Sequence, residues 1–577
     1  MKKTVVIMLC VLLCLVSLSA CNTGAAQSPS SASESVSSSS ASSESEASES
    51  KESEPEESSE AQAGGGHVPL LRLGTTNTND GFNATSQSGI LGRINYTGFC
   101  QGNMFVRDEK GDLVTSMLKS YEISDDNQTL TLVIPTNAVW HDGEPVTIED
   151  LKFTFEYNRD VILSSSYQHF SNIEVQGDDT LVLTFDGELS AFTFINKIDT
   201  MSKIYPKHIW EKVEKPDEYM GDDRNIGCGP YKLVSIDTDA QISYYEAMPD
   251  YWKGELTVDE VSIKTYASQE ALVMAMANGE VDAMYDYSKP ISTNLYDTVE
   301  KSENLDLGMT QDPGNKMLMM GFRAAPTDDI HFRSAISYAI DYDMLALTVG
   351  GEYATVGTRG VIPSCNRGYN SGLEEMVTDY DKAAQMLDEA GYVDSDGDGW
   401  RELKDGTPID LLIAPQNTSS QQEIMLRIGS ILTDSFEQVG IKATFSEECL
   451  TNKETWSRIA EQEGSYNIHL GYCTSGMASF IGVPTYLLDS SINNWWGTCL
   501  EDDFINAYNQ LSTAQNFDDF DKYMSEVQQV IADKVIAIPT CWETAAFPYR
   551  TDKYTGWTIH PGEGVIHANT WYNLRMK

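Results

Sequence analysis

The chain has 577 residues and a formal net charge of −48, with 87 Asp and Glu against 39 Lys and Arg. A polyanion would repel such a chain, and the sequence has no stripe of basic residues interleaved with aromatics, so the composition argues against nucleic-acid binding. The length is well above that of one ordinary domain, so we expect two or more lobes.

The first 21 residues run from basic through apolar to small side chains. Lys2 and Lys3 precede an apolar stretch from Val5 to Leu18, which is shorter than the roughly 20 residues that a membrane-spanning helix needs. Cys21 follows Ser19 and Ala20, and its thiol would carry two acyl chains, which anchor a protein stably. We therefore predict a bacterial lipoprotein signal peptide at 1–20, lipidation of Cys21 and a position on the outer face of the cell membrane. An uncleaved helix with a chance cysteine is the alternative.

Residues 21–66 consist mainly of Ser, Glu and Ala and close with three glycines. Such a segment cannot form a core, and its glutamates repel one another, so we predict a disordered tether. It would hold a folded body above the membrane, although the composition also suits a degradable tail.

Seven cysteines follow Cys21, namely Cys100, Cys228, Cys365, Cys449, Cys473, Cys499 and Cys541. The number is odd, no two have CxxC spacing, and a body of this size needs no cross-links. We predict mostly free, buried thiols.

Strand and helix patterns alternate along the body. Leu130–Ile134 and Thr180–Phe185 have strand composition between polar turns, whereas His331–Leu347 and Tyr380–Ala390 carry apolar residues at helical spacing. The mixture predicts an α/β protein.

Five segments of the body, in this order, resemble the signature elements of one family. They are AVWHDGEPVTIEDLKF at 138–153 with Thr147 as a helix cap, GCGPY at 227–231, DYWKG at 250–254, FRSAISYAID at 332–341 and IPT at 538–540. The family is that of the large bacterial extracytoplasmic solute-binding proteins of the peptide, dipeptide and nickel class, family 5. The resemblance covers essentially the whole chain after the glycines.

This resemblance implies a two-lobed, periplasmic-binding-protein-like clamp that closes over a ligand in its cleft. Lobe one would span 67–308, with an extra subdomain at about 97–226, and lobe two 309–540, before 541–577 return to lobe one. The resemblance also implies a monomer that delivers its solute to an ABC permease and requires no cofactor.

An acidic run at 394–405 has the spacing of an EF-hand loop. Asp394, Asp396 and Asp398 hold positions one, three and five, and Trp400 would add a carbonyl, followed by Glu402 and Asp405 at positions nine and twelve. A structural Ca²⁺ site is one prediction. A solvated turn between a helix and a strand is the other, because Asp replaces the usual final Glu.

The segment from Tyr466 to Gly476 reads as a strand that runs into a loop. In relatives that bind peptides, the equivalent strand ends in an aromatic residue followed by an aspartate that pairs with the peptide's α-ammonium group. Here Tyr472 fills the aromatic place, and Ser475 lies where the carboxylate would fall. The resemblance therefore implies a ligand site at this strand end, without that anion.

Further ligand-contact candidates share an aromatic or polar character and a position near the implied cleft. They are Trp456, His469, Met477, Trp495 and Trp496 in lobe two, and Asn77 and Tyr96 in lobe one. For the aromatic residues the alternative is an ordinary place in the core.

We predict from these observations a lipid-anchored receptor that captures a peptide or peptide-like solute for an ABC importer. One alternative cargo is a nickel or other metal-chelate complex, which is suggested by His469 and the acidic body. A surface hydrolase is the other alternative, but HExxH, GxSxG and CxxC motifs are all missing from the sequence.

Overall fold

The computed structural model describes residues 66–78, 89–108, 112–187, 189–198, 202–286, 289–417, 422–473, 482–493 and 497–577. The predicted signal peptide, Cys21 and the tether up to residue 65 lie outside the described residues. Within the described ranges, no helix is both long and apolar enough to cross a membrane.

Twenty strands are described. They are β1 Leu71–Thr75, β2 Phe105–Arg107, β3 Leu113–Thr115, β4 Ser120–Ile123, β5 Thr129–Val133, β6 Phe170–Gln176, β7 Thr180–Phe185, β8 Tyr231–Asp237, β9 Ile242–Ala247, β10 Glu260–Thr265, β11 Ala283–Met284, β12 Leu305–Gln311, β13 Asn315–Met320, β14 Asp410–Pro415, β15 Lys442–Phe445, β16 Ile468–Cys473, β17 Ala537–Pro539, β18 Thr544–Arg550, β19 Tyr554–Thr555 and β20 Arg575–Met576.

The described α-helices vary from one turn to five. They are α1 Gly89–Arg93, α2 Ile148–Asp160, α3 Ala191–Ile198, α4 Lys207–Trp210, α5 Gln269–Ala277, α6 Tyr296–Glu300, α7 Ile330–Ile336, α8 Tyr342–Gly350, α9 Tyr380–Ala390, α10 Gln422–Glu437, α11 Glu447–Thr451, α12 Lys453–Trp456, α13 Gly482–Leu487, α14 Ser490–Asn493, α15 Asp502–Leu511, α16 Phe517–Lys534 and α17 Thr570–Asn573.

Three sheets organise the molecule. Lobe one is built on a seven-stranded sheet in the order β12-β18-β11-β1-β10-β9-β8, and lobe two on a five-stranded sheet in the order β15-β14-β16-β13-β17. The subdomain has a four-stranded sheet, β4-β5-β7-β6. The α/β prediction is confirmed, and the chain leaves the first sheet after β12 and returns to it at β18. The predicted boundary at 308–309 falls inside β12, so the change of sheet comes a few residues later.

Local patterns explain most of these elements. β5 and β7 alternate between buried and half-buried residues, so one face of each strand packs into the subdomain core. Helix α2 begins after Thr147, whose backbone N–H and hydroxyl both donate to the Asp150 carboxylate at 2.8 Å. Helix α9 has the predicted bounds, and Gly391 ends it with a φ of 89°.

The prediction of one helix across His331–Leu347 is wrong, because two helices, α7 and α8, occupy this segment. Asp341 marks the start of the second helix. Its side chain accepts the backbone N–H of Met344 and so caps a new helix. Apolar spacing alone does not reveal such a cap inside a periodic stretch.

The structure describes the side chains of six of these seven cysteines, and all six are free, as predicted. Cys100, Cys228, Cys449, Cys499 and Cys541 are buried, and Cys365 is half-buried. Burial raises the pKa of the Cys365 and Cys541 thiols to about 12, so both are neutral at ordinary pH.

The subdomain touches lobe two directly. Phe192 of α3 is only 6% exposed and packs in a lobe-two core cluster, with its ring 5.2 Å from that of Phe517. The Thr193 hydroxyl donates to the Ser512 carbonyl at 3.1 Å, and the Asn127 amide donates to the Gln515 carbonyl at 3.2 Å. Both acceptors lie in the connection between α15 and α16, so the two sides of the clamp are in contact away from the crossing segments.

Candidate functional site

The chain crosses between the two large sheets twice, and the crossing segments lie side by side. The Asp312 N–H donates to the Glu543 carbonyl at 2.8 Å, and the Thr540 N–H donates to the Lys316 carbonyl at 2.9 Å. Two short, adjacent connections of this kind are where a hinge can absorb the rotation of one lobe against the other.

In lobe one, several strand ends gather at the edge next to the crossing. β1 and β11 are parallel, and β12 runs in the same direction because both β11 and β12 are antiparallel to β18. The carboxyl ends of β1, β11 and β12 therefore lie at the edge where the chain crosses to lobe two. Ligands of open α/β sheets bind outside such ends.

The segment after β1 brings the predicted contact Asn77 to this edge. Asn77 is half-buried, and its carbonyl accepts the Thr265 hydroxyl at 2.9 Å. Its side-chain Nδ2 donates to Asp286 at 2.7 Å, just beyond the end of β11. Asn77 is thus held at the lobe-one edge by residues of the neighbouring strands.

In lobe two, the matching edge carries the predicted contact Tyr472. β13 begins here, and the antiparallel β16 ends here, with Lys316 opposite Tyr472 in the register. Tyr472 is half-buried, and its N–H donates to the Gln416 side chain at 2.9 Å beyond the end of β14. The Lys316 ammonium lies 5.3 Å from the centroid of the Tyr472 ring, within the range of a cation–π contact.

Three charged groups lie at the crossing itself. The Lys316 ammonium is 2.5 Å from the Glu543 carboxylate, and Asp312 precedes β13 in the neighbouring segment. Burial alone would lower the pKa of Lys316, but the charge and hydrogen bond of Glu543 outweigh burial and raise it. Burial raises the pKa of Asp312 to about 7, and the charge of Glu543 adds to the effect. Two acidic side chains and one basic side chain therefore lie where the chain crosses between the lobes.

Sequence reasoning missed these groups together with Asp286. Glu543 lies 227 residues from Lys316, and Asp286 lies 209 residues from Asn77. A single sequence contains no local signal for such pairings, because the sheet order alone brings them together.

His469 and Trp456 lie in the packed interior of lobe two. His469 is fully buried in β16, its Nδ1 lies 2.7 Å from the Ala414 carbonyl, and burial lowers its pKa to about 4. Trp456 is 6% exposed, with its ring 6.4 Å from that of His469. A neutral, enclosed imidazole gives the metal-chelate alternative no exposed ligand at this position.

Several predicted contacts cannot be placed in the site. Ser475, Met477, Trp495 and Trp496 lie outside the described residues. Tyr96 belongs to the single turn Ile94–Thr97 that follows α1, and its side chain is not among those described. Contact of these residues with a ligand stays a prediction.

The acidic run forms a compact loop between α9 and β14, apart from the crossing. One carboxylate oxygen from each of Asp394, Asp396, Asp398 and Glu402 lies within 4.8 Å of the others. Asp405 is not in this group, and its carboxylate accepts the Thr407 N–H at 3.0 Å. The loop brings four oxygen ligands together but leaves the predicted twelfth position outside.

Comparisons with known proteins agree with this architecture. A family model described as bacterial extracellular solute-binding proteins, family 5, middle region, matches residues 112–495. A Brucella abortus protein, whose name describes it as a candidate peptide-binding protein of an ABC transporter, is 25% identical over 345 residues. That match covers 58% of this chain and 60% of the relative's length.

Longer matches extend over most of the chain. The oligopeptide-binding protein AppA of Bacillus subtilis is 23% identical over 493 residues, which are 81% of this chain and 84% of AppA. The crystal structure of the ABC transporter substrate-binding protein CtaP of Listeria monocytogenes has a TM-score of 0.71 at 22% identity, covering 88% of this chain and 99% of CtaP. The likeness to CtaP shows the same fold.

Proposed function

Because the chain belongs to the bacterial extracellular solute-binding proteins of family 5, we propose that it captures a peptide or peptide-like solute between its lobes and delivers it to an ABC permease. The family assignment supplies the class of protein. The cargo, the delivery and the binding residues belong to the proposal.

The observation that carries the proposal is the meeting of two sheet edges at a double crossing. Lobe one brings the polar Asn77 to its edge, and lobe two brings the aromatic Tyr472 to the opposite edge. A ligand between them would be bound by both lobes only when they close, so affinity would report the closed state. This is how a clamp converts binding into a signal for a membrane partner.

A peptide-like cargo is supported by two further points. The Brucella and Bacillus relatives carry names that refer to peptides. Aromatic and polar edge residues also suit ligands with varied side chains, since a ring offers a large surface without imposing one hydrogen-bond pattern. Ser475 in place of the acidic residue argues that the α-ammonium group is not the main anchor, because a charge-assisted bond contributes about 1.5 to 3 kcal/mol.

Attachment to the membrane through Cys21 completes the proposal. The order of Lys2, Lys3, the apolar stretch and Cys21 supports it, and the acidic tether would let the body reach a permease. The Cys21→Ala chain should incorporate no fatty-acid label where the wild-type chain does.

The decisive experiment follows the fate of peptides. The full chain, extracted from membranes in detergent, is incubated with an equimolar pool of pentapeptides with free termini, and the retained molecules are weighed by mass spectrometry. We expect a subset of the peptides to be retained with unchanged mass.

The same experiment separates the alternatives. Accumulating cleavage products would favour the surface hydrolase, and retention of a nickel–histidine complex in a parallel incubation would favour the metal-chelate receptor. If wild-type protein retained no peptide from the pool, the proposal would be overturned.

A further inference from the structure

Asp286 gathers an unusual number of hydrogen-bond donors from the segment that follows β1. It is fully buried just beyond β11, and its carboxylate accepts the hydroxyls of Thr75 and Thr76, the latter at 2.6 Å. It also accepts the Thr76 N–H at 3.0 Å and Asn77 Nδ2 at 2.7 Å. One carboxylate thus fixes three consecutive residues at the lobe-one edge.

The consequence for Asn77 is a defined amide orientation. A carbonyl oxygen turned toward Asp286 would face a carboxylate, so the NH₂ group must take that side. Nδ2 also lies 3.4 Å from the Thr75 hydroxyl, and the Asn77 backbone N–H donates to the same hydroxyl at 3.1 Å. Among the described residues, nothing donates to Asn77 Oδ1, so this oxygen is left as the acceptor at the edge.

We propose that Asp286 is a positioning residue that makes Asn77 Oδ1 the acceptor for a neutral N–H group of the ligand, such as a backbone amide of a peptide. The inference rests on the proposed function and adds the chemical group that lobe one recognises. Asp286 itself does not touch the ligand.

The surroundings favour a neutral donor over an ammonium group. Lys289 follows Asp286 closely, and its ammonium donates to the Thr76 hydroxyl at 2.8 Å, so a positive charge already stands in this segment. The Asp286 carboxylate is buried behind its own donors and offers no free lone pair at the edge. A second cation would meet Lys289, whereas an uncharged amide N–H would not.

The test uses the full chain and the most strongly retained member of the pentapeptide pool, with affinity measured by calorimetry. Asn77→Ala removes the acceptor and should weaken binding about tenfold. Asp286→Asn should do the same, because two amide groups then compete for one orientation. The double variant Asn77→Asp, Asp286→Asn exchanges the two groups and should restore affinity to within about threefold, since the carboxylate now at position 77 keeps an outward oxygen while the amide now at position 286 supplies the donor.

Asp282→Asn is the matched control. Asp282 is equally buried and accepts three N–H donors of Arg72, at the opposite end of β1 from the crossing. This variant should lower the thermal midpoint but leave peptide affinity unchanged.

A ligand-side measurement makes the assignment specific. Each backbone N–H of the pentapeptide is methylated in turn. One of these analogues should bind wild-type protein about tenfold more weakly than the parent peptide does, whereas the Asn77→Ala variant should bind that analogue and the parent peptide equally well. An exchange variant no better than the single variants, or the same methylation loss in wild type and Asn77→Ala, would overturn the inference alone. Wild-type protein that binds no peptide overturns the proposed function, and the inference with it.

Discussion

Asp312 is a half-buried carboxylate in the first crossing segment, beside Glu543 of the second. Burial and then the charge of Glu543 raise its pKa to about 7, whereas an Asp in an unfolded chain titrates near pH 4, with a pKa of about 3.9. Between these values the folded protein binds more protons than the unfolded chain, so the free energy of unfolding falls as the pH rises. The nearby Cys365, Cys541 and Tyr296 stay neutral in this window, because burial raises the pKa of each.

Asp312→Asn should remove this loss. We expect the excess of the variant over wild type in the free energy of unfolding to be about 1 to 3 kcal/mol larger at pH 8 than at pH 5. Urea titrations at both pH values measure the difference. Asp306→Asn, an exposed position of β12, the strand that leads to Asp312, serves as control and should leave the pH dependence as in wild type. Equal slopes for Asp312→Asn and wild type would contradict the assignment.

Residue by residue, the site could be predicted only where the signal is local. Tyr472 lies at the end of a strand whose pattern is legible, and the structure brings it to an edge. His469 lies three residues earlier on the same strand, where residues on both faces, including Ile468 and Leu470, are fully buried inside lobe two. Asp286 and Glu543 contact partners more than 200 residues away. The sequence pattern within one strand or turn does not indicate such partners.

At the scale of elements, the acidic loop between α9 and β14 shows how one pattern supports two structures. Its carboxylates already accept N–H groups of their own turn, as when Asp394 accepts those of Gly397 and Gly399 at 2.6 and 2.9 Å. Such bonds would hold a solvated turn. Equally, the four converging oxygens are the ligands that Ca²⁺ takes.

Calcium binding makes a definite prediction for stability. With a dissociation constant near the 10⁻⁴ M typical of the tighter extracellular modules, 1 mM Ca²⁺ should raise the free energy of unfolding by roughly 1.4 kcal/mol. Asp396→Ala should abolish this increase. Asp405→Ala should retain it, because Asp405 lies outside the group of converging carboxylates. Titration calorimetry on chelated protein gives the direct reading, and the absence of heat at millimolar Ca²⁺ leaves only the solvated turn.

The ends of helices inside a periodic stretch were harder to predict from the sequence than the presence of the helices and strands. The strand at 180–185 and the helix at 380–390 have the predicted bounds, because composition, turns and a terminal glycine agree. Over 331–347 the apolar spacing continues through the gap between α7 and α8, although α7 ends at Ile336 and the Asp341 side chain caps the start of α8. The hydrogen bond of this cap, and not the period of the apolar residues, therefore sets where the second helix begins.

At the scale of the whole molecule, the contact between the subdomain and lobe two could not be read from the sequence. It joins α3 to the α15–α16 connection, over 300 residues apart. Arg367 adds a bridge, since its guanidinium donates to Asp112 at 2.9 Å and lies 4.0 Å from the centroid of the Phe517 ring. An opening of the lobes that parts these surfaces would expose Phe192 to water.

The Phe192 contact should therefore favour the arrangement in which the subdomain meets lobe two, since a fully buried Phe side chain contributes about 1.5 to 3 kcal/mol. Phe192→Ala should shift the protein without peptide toward an open form, with a larger radius of gyration in X-ray scattering, and should weaken peptide binding about tenfold or more because the closed state becomes rarer. Phe153→Ala is the control, because that ring stacks on Tyr157 within the subdomain, 5.1 Å away. The same data give the molecular mass, which should be that of a monomer. Scattering from Phe192→Ala that matched wild type, with or without peptide, would contradict the prediction and show that the contact persists in every state of the clamp.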